Sequence, residues 1–437
     1  MSASGTRHQR DFDSNRIILV GLMFAFSVMS YFDRTIMSIA GPQIMTEFGI
    51  APTHMGSIYS AFIFGYFLFM IPGGQLVDRL GPRLSLGLMG LAAALFTGLT
   101  ALSGKPGLGT YLGVIPAFIA IRFCLGVGTA PLYPACGRMG MHWIPAIHQA
   151  RVQALIIAGS SFGSAVSPIV FSWLMTRYHW RGSFWVAAGA TAVLAIVWIW
   201  YARDFPPHRD TPVSVAERLH LDLWFKLMAD RNLALITLAY FTLGYFDFIF
   251  FYWIYYYFGE VRHMGYSQSA RYTTGLFLTM MVMMPLGGWI SDRLTAAYGP
   301  SVGRRMVPLT ALTLAGLLLF VGTKTPGNMS TVTLLSLAIG FASCCEGPFW
   351  SLAIDVGGPR VGAACGILNF GGNLGGFFAP ILTPYIASRA GWSWGLHTGS
   401  LIVMIGVVAC YLIDPSRISA SAAARDFVTE RPGHLER

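Results

Sequence analysis

Tyr31-Phe32-Asp33-Arg34 sets an acid and a base side by side inside an apolar run, with no other charge between Ile17 and Ile39. Ionisable groups at bilayer depth cost about 2.5–3.5 kcal/mol each even on the mildest scale, so they face water, a ligand or one another. Asp33 has the chemistry to carry a proton, Arg34 to hold an anion, and Tyr31 to donate a hydrogen bond. A mutual ion pair that only locks neighbouring helices together is the plainer alternative. Arg122, Asp247 and Glu346 also fall within apolar runs. Three acids against two bases leave this set one charge negative, and a bound anion would add another. A site of low dielectric resists that unless protons enter with the anion.

The elements that must position these groups are membrane spans. Of 437 residues, 54% are hydrophobic and 11% charged, against roughly 25% charged in soluble proteins. The net charge of +10 is scattered through short loops, with no basic stripe interleaved with aromatics, so no nucleic-acid partner is expected. The six cysteines, Cys124, Cys136, Cys344, Cys345, Cys365 and Cys410, lie in apolar stretches without metal spacing, so neither disulfide, metal nor cofactor is expected. No nucleotide loop or hydrolytic triad is present, and an enzyme is not expected.

Apolar runs predict twelve helices at about 16–40, 55–77, 84–102, 110–137, 151–176, 183–201, 232–258, 271–291, 306–323, 330–355, 361–387 and 394–413. The chain therefore divides into a tail at 1–15, a six-helix bundle at 16–201, a linker at 202–231, a second six-helix bundle at 232–413 and a tail at 414–437. The linker contains Pro206-Pro207 and a short amphipathic segment, Val215 to Met228, suited to the membrane surface. With an even number of spans, the side holding both termini carries 20 Lys and Arg and the other side 7, which places both termini and the linker in the cytoplasm. None of the ten histidines is placed clearly in a span.

The halves repeat each other. Tyr31-Phe32-Asp33 returns as Tyr245-Phe246-Asp247, and Gly73-Gly74-Gln75-Leu76-Val77-Asp78-Arg79-Leu80 as Gly287-Gly288-Trp289-Ile290-Ser291-Asp292-Arg293-Leu294, both 214 residues on. The fourth and tenth spans align best 217 apart, setting Pro131 against Pro348, Arg138 against Asp355 and Thr129 against Glu346. Parallel repeats of this kind build transporters with a central site.

Gly74 to Arg83, read as Gly-Gln-Leu-Val-Asp-Arg-Leu-Gly-Pro-Arg, resembles the signature of the major facilitator superfamily, and a degenerate copy ends in Gly303-Arg304-Arg305. The resemblance implies an all-α membrane protein of twelve transmembrane helices in two pseudo-symmetric six-helix bundles. It also implies a cytoplasmic gate built from Asp78, Arg79, Arg83, Arg138, Asp292, Arg293 and Asp355. Within that superfamily, Tyr31-Phe32-Asp33-Arg34, Ile71-Pro72-Gly73-Gly74, Arg122-Phe123 and Asn369-Phe370-Gly371-Gly372-Asn373-Leu374-Gly375-Gly376 look like the anion:cation symporter family. That family includes bacterial sugar-acid carriers and the animal sialins.

By this resemblance Tyr31, Arg34, Tyr66, Arg122 and an asparagine of the eleventh span, Asn369 or Asn373, line the substrate site, and Asp33 takes part in proton coupling. Trp350, near Glu346, joins the candidate substrate residues. Sugar-acid members carry a Glu where this chain has Thr129. Glu346 is expected to have taken that proton-carrying role in the other half, with Asp247 as a further candidate. Ser160, Ser161, Ser164 and Ser167 either donate to substrate or, with Gly159-x-x-x-Gly163, mark tight helix packing. The tyrosines around Asp247 line a polar cavity or belong to an interfacial belt.

The expected function is secondary active, proton-coupled uptake of a small organic anion, a sugar acid or other carboxylate, by a monomer in a bacterial inner membrane. A proton-coupled exporter of a drug-like or cationic compound, with Asp33, Asp247 and Glu346 as counter-ions, is the alternative. A transporter-like sensor is a remote one.

Overall fold

A computed structural model of the chain describes residues 3–104, 106–206, 230–357 and 361–414. The amphipathic segment expected at Val215 to Met228 and nearly all of the C-terminal tail lie outside the described residues. All regular structure described is helical. The described residues up to 206, with 265–274, form one compact unit, and 230–264 with 275–414 the other.

In the first unit α1 is Ala3–Phe48, α2 Pro52–Leu68, α3 Met70–Leu80, α4 Pro82–Thr100, α5 Leu108–Leu112, α6 Val114–Thr129, α7 Leu132–Trp143 and α8 Ala146–Tyr201. The segment expected as an N-terminal tail thus continues α1. A straight helix as long as α8 would run about 84 Å, far beyond a bilayer core of about 30 Å. His179, at φ 54° and ψ 175°, breaks it into the two spans expected there. Trp180 Nε1 donates to Glu47 Oε2 at 2.6 Å and Arg181 pairs with Glu47 at 2.7 Å, holding that turn to the end of α1. α2 and α3 meet at a 49° bend and together make one span.

Close approach between helices depends on glycine here. A Cβ at Gly126 would strike the backbone of Phe62 and Tyr66, and one at Gly163 would strike Val28 on α1. Ser160, Ser164 and Ser167 donate to carbonyls three or four residues back on their own helix, so this stretch of α8 serves packing against α1.

The second unit comprises α9 Arg231–Tyr256, running on through a π-helical turn to Val261, α10 Tyr266–Tyr298, α11 Pro300–Lys324, α12 Asn328–Ser343, α13 Glu346–Gly357, α14 Val361–Ala390 and α15 Trp392–Tyr411. Ten described helices are long and apolar enough to cross a membrane, eleven with the bent α2–α3 pair, and the division of α8 completes twelve. One histidine expectation is corrected: His397 lies in α15, 3% exposed, with Nε2 2.6 Å from Thr323 Oγ1.

The repeat keeps one register through its broken helices. α6 and α12 have equal length and are displaced by 214 residues, as are α7 and α13. Thr129 and Ser343 each end a helix and each donate to the carbonyl four residues back. A Cβ at Gly73 would meet Ala130 and Pro131, and one at Gly287 would meet Cys344, again 214 apart. The expected 217-residue alignment is therefore corrected: Thr129 answers to Ser343, Glu346 to Leu132, and Arg138 to Leu352 rather than Asp355. Proline misleads as a marker because it is tolerated at several positions before and within a first helical turn, where N–H groups lack helical acceptors. The turn glycine of the second signature copy is likewise Gly299 (φ 84°), matching Gly81 (φ 80°), while Gly303 sits inside α11.

Candidate functional site

Successive residues on an α-helix point about 100° apart, so Asp33 and Arg34 cannot share one set of neighbours. Asp33, 1% exposed, accepts from Thr191 Oγ1 on the second arm of α8 at 2.9 Å. Arg34, 6% exposed, lays its guanidinium against the rings of Phe62, Tyr31 and Tyr66, at 5.1, 5.3 and 5.8 Å from their centroids. Both lie mid-span as expected, with separate surroundings.

Arg122 is fully buried on α6. Its guanidinium lies 4.9 Å from the Phe62 centroid and donates to the backbone carbonyls of Asp33 at 3.4 Å and Arg34 at 3.2 Å. It thereby braces the charged turn of α1 and adds its positive charge beside the Asp33 carboxylate. Tyr133 Oη lies 3.2 Å from Ser27 Oγ, in the same surroundings as Tyr31 and Tyr66. Thr191, Phe62 and Tyr133 were not singled out in the sequence; threonines and aromatics are common in spans, and nothing in their spacing marks them.

In the second unit Glu346 is the first residue of α13. Its Oε2 accepts from the Tyr240 hydroxyl of α9 at 2.9 Å, and the same hydroxyl oxygen accepts from Trp350 Nε1 at 3.2 Å. Glu346 and Trp350 are four residues apart on one helical face and both half-buried. Asp247 lies two turns along α9 from Tyr240, 5% exposed, near enough for its charge and that of Glu346 to act on each other. Asn373 Nδ2 donates to the carbonyl and side-chain oxygens of Asn369, at 2.9 and 3.1 Å. The glycines between and beyond these asparagines let α14 close on α9: a Cβ at Gly375 would strike the Phe241 carbonyl, and one at Gly372 would sit 2.6 Å from Tyr240 Cε1. Of the tyrosines near Asp247, Tyr245 reaches Thr398 at 3.2 Å. Tyr240, seven residues before Asp247, is the group that sequence reading passed over.

The expected gate residues divide. Asp78 on α3 is ion-paired with Arg138 on α7. Arg83 donates through Nη2 to the Ile199 carbonyl at 2.9 Å, and its backbone N–H donates to Asp204 Oδ1 at 2.8 Å. Asp355 on α13 pairs with Arg304, a partner the sequence reading had placed only in the signature copy. Arg293 stacks on Trp289 at 4.6 Å, while Arg79 and Asp292 are exposed.

A family model described as Major Facilitator Superfamily matches residues 23–360. The "Probable sulfoacetate transporter SauU" of Cupriavidus necator is 26% identical over 92% of this chain and 94% of its own length. The "D-galactonate transporter" of Escherichia coli is 28% identical over 91% of this chain and 95% of its own. A crystal structure of a bacterial homolog of the human lysosomal transporter Spinster superposes with a TM-score of 0.75 at 14% identity, covering 96% of this chain and 99% of that one.

Proposed function

Because the chain belongs to the Major Facilitator Superfamily, and so is a multi-span membrane transporter and not an enzyme, we propose that it takes up a small organic anion, a sugar acid or other carboxylate, together with protons, by alternating access. The names of its relatives, transporters of sulfoacetate and of D-galactonate, support the substrate class. The observation that carries the reading is the division on α1. Arg34 offers a guanidinium framed by two tyrosines, suited to a planar carboxylate, while Asp33 on another face is held by Thr191. In this reading Arg34, Tyr31 and Tyr66 bind the anion, Arg122 positions them, and Trp350, Asn369 and Asn373 contribute from the second unit. Asp33, Glu346 and Asp247 carry protons, and Asp78, Arg138, Arg83 and Asp355 stabilise cytoplasmic closure. The positive-charge bias supports a monomer in a bacterial inner membrane with both termini in the cytoplasm.

The test is uptake of radiolabelled D-galactonate and sulfoacetate by proteoliposomes under an imposed pH difference. Accumulation of either, abolished by a protonophore, supports the reading. Accumulation driven only by a Na⁺ gradient, or transport restricted to cationic compounds, overturns it. Glu346→Gln is expected to lose pH-driven accumulation while retaining exchange of anion between the two faces.

A further inference from the structure

We propose that Tyr240 is a coupling residue: the chain Trp350 to Tyr240 to Glu346 joins occupancy by the anion to protonation of Glu346. The inference rests on the transport reading above and deepens it by naming the path between the two ligands.

The chemistry of the donors gives the chain its direction. An indole N–H donates and never accepts, so Trp350 Nε1 supplies its proton to the Tyr240 oxygen. A phenol has one proton to give, and the geometry sends it to Glu346 Oε2. Each bond strengthens the next, because a hydroxyl that accepts is polarised into a better donor. With the chain intact, the tyrosine hydroxyl therefore serves the ionised carboxylate best.

An anion that draws the half-buried Trp350 N–H to itself breaks the first link. The Tyr240 hydroxyl then stabilises negative charge on Glu346 less, and binding of the anion and binding of a proton favour each other. By reciprocity the proton improves affinity for the anion by the same factor. That is the sign a symporter requires.

Other charged neighbours do not supply this link. From α9, Asp247 acts on Glu346 through its like charge, and Cys345 adjoins Glu346 in the chain. α14, packed along α13, has no charged side chain before Arg389. Arg304 of α11 reaches α13 at Asp355, two and a half turns beyond Glu346. The position of Tyr240 is itself built in. Its ring packs edge-on to Phe349 and Trp350, at 5.7 and 6.4 Å, and occupies the space that a Cβ at Gly372 would take.

The experiment measures protons taken up when D-galactonate or sulfoacetate binds the purified full-length protein in weakly buffered detergent, with the dissociation constant followed between about pH 5 and 8. Wild type is expected to take up about one proton through Glu346 per anion bound, beyond any uptake that persists in Glu346→Gln. In Tyr240→Phe, and separately in Trp350→Phe, that Glu346-dependent uptake should fall at least threefold, at whatever affinity each variant retains, and the slope of log Kd against pH should flatten to match. Adding Tyr240→Phe to Glu346→Gln should flatten it no further. A Tyr240→Phe protein that binds the anion with the wild-type proton uptake and slope overturns the coupling chain and leaves the transport reading standing. A wild-type protein that binds neither anion overturns both.

Discussion

Thr191 Oγ1 donates to Asp33 Oδ2 at 2.9 Å, tying the carboxylate at the middle of α1 to the second arm of α8. Hydrogen bonds to charged groups contribute about 1.5–3 kcal/mol, and a buried acceptor left without its donor loses more than an exposed one. Thr191→Val keeps the side-chain shape and removes the donor, so uptake is expected to fall about tenfold or more. Thr191→Ser, which restores a hydroxyl, should recover most of it. Initial uptake rates in proteoliposomes check the pair, and equal rates for Val and Ser would remove the hydrogen bond from the mechanism.

Arg34→Lys keeps the charge and loses the planar fork that meets a carboxylate bidentately and stacks on Phe62, Tyr31 and Tyr66. Binding of D-galactonate or sulfoacetate, measured by calorimetry, should weaken by roughly 10- to 100-fold, the equivalent of one lost charge-assisted contact. The protein should still insert and migrate as wild type in size-exclusion chromatography. Wild-type affinity would take Arg34 out of the site.

The Asp78–Arg138 pair has side chains 47% and 21% exposed, and exposed pairs of this kind contribute about 0–1 kcal/mol to stability. Asp78→Asn should therefore leave the melting temperature within about 2 °C of wild type while slowing transport more than it weakens equilibrium binding. Parallel loss of melting temperature, binding and transport would make the residue a folding determinant instead of a gate.

Gly372→Ala brings a Cβ to 2.6 Å from Tyr240 Cε1, whereas Gly189 on α8 has open space around the same atom. Overpacking costs typically about 1–3 kcal/mol, and here the displaced side chain is the partner of Glu346. Gly372→Ala should lower the melting temperature and reduce pH-driven accumulation, while Gly189→Ala should be neutral or slightly stabilising. Thermal unfolding and uptake on the two variants decide it, and indifference at Gly372 would show that the ring of Tyr240 relocates freely.

What the sequence determined by itself was whatever depends on local composition and spacing. Apolar run length names the spans, since every buried backbone group in a bilayer must be satisfied inside its own helix. A charge inside such a run marks Asp33, Arg34, Arg122, Asp247 and Glu346 as expensive enough to need a purpose, and two signature copies 214 residues apart reveal the duplication. The tertiary structure alone decided directions and partners. Which neighbour a mid-span side chain meets depends on the rotation of its helix against others far away in the chain. Asp33 therefore meets Thr191, Arg34 meets the α2 aromatics, Arg122 braces a backbone, and Tyr240 comes between Trp350 and Glu346. The register of the second half follows the same rule: one proline match suggested 217, while helix ends, glycine contacts and capping hydroxyls, which share a common packing geometry, hold it at 214.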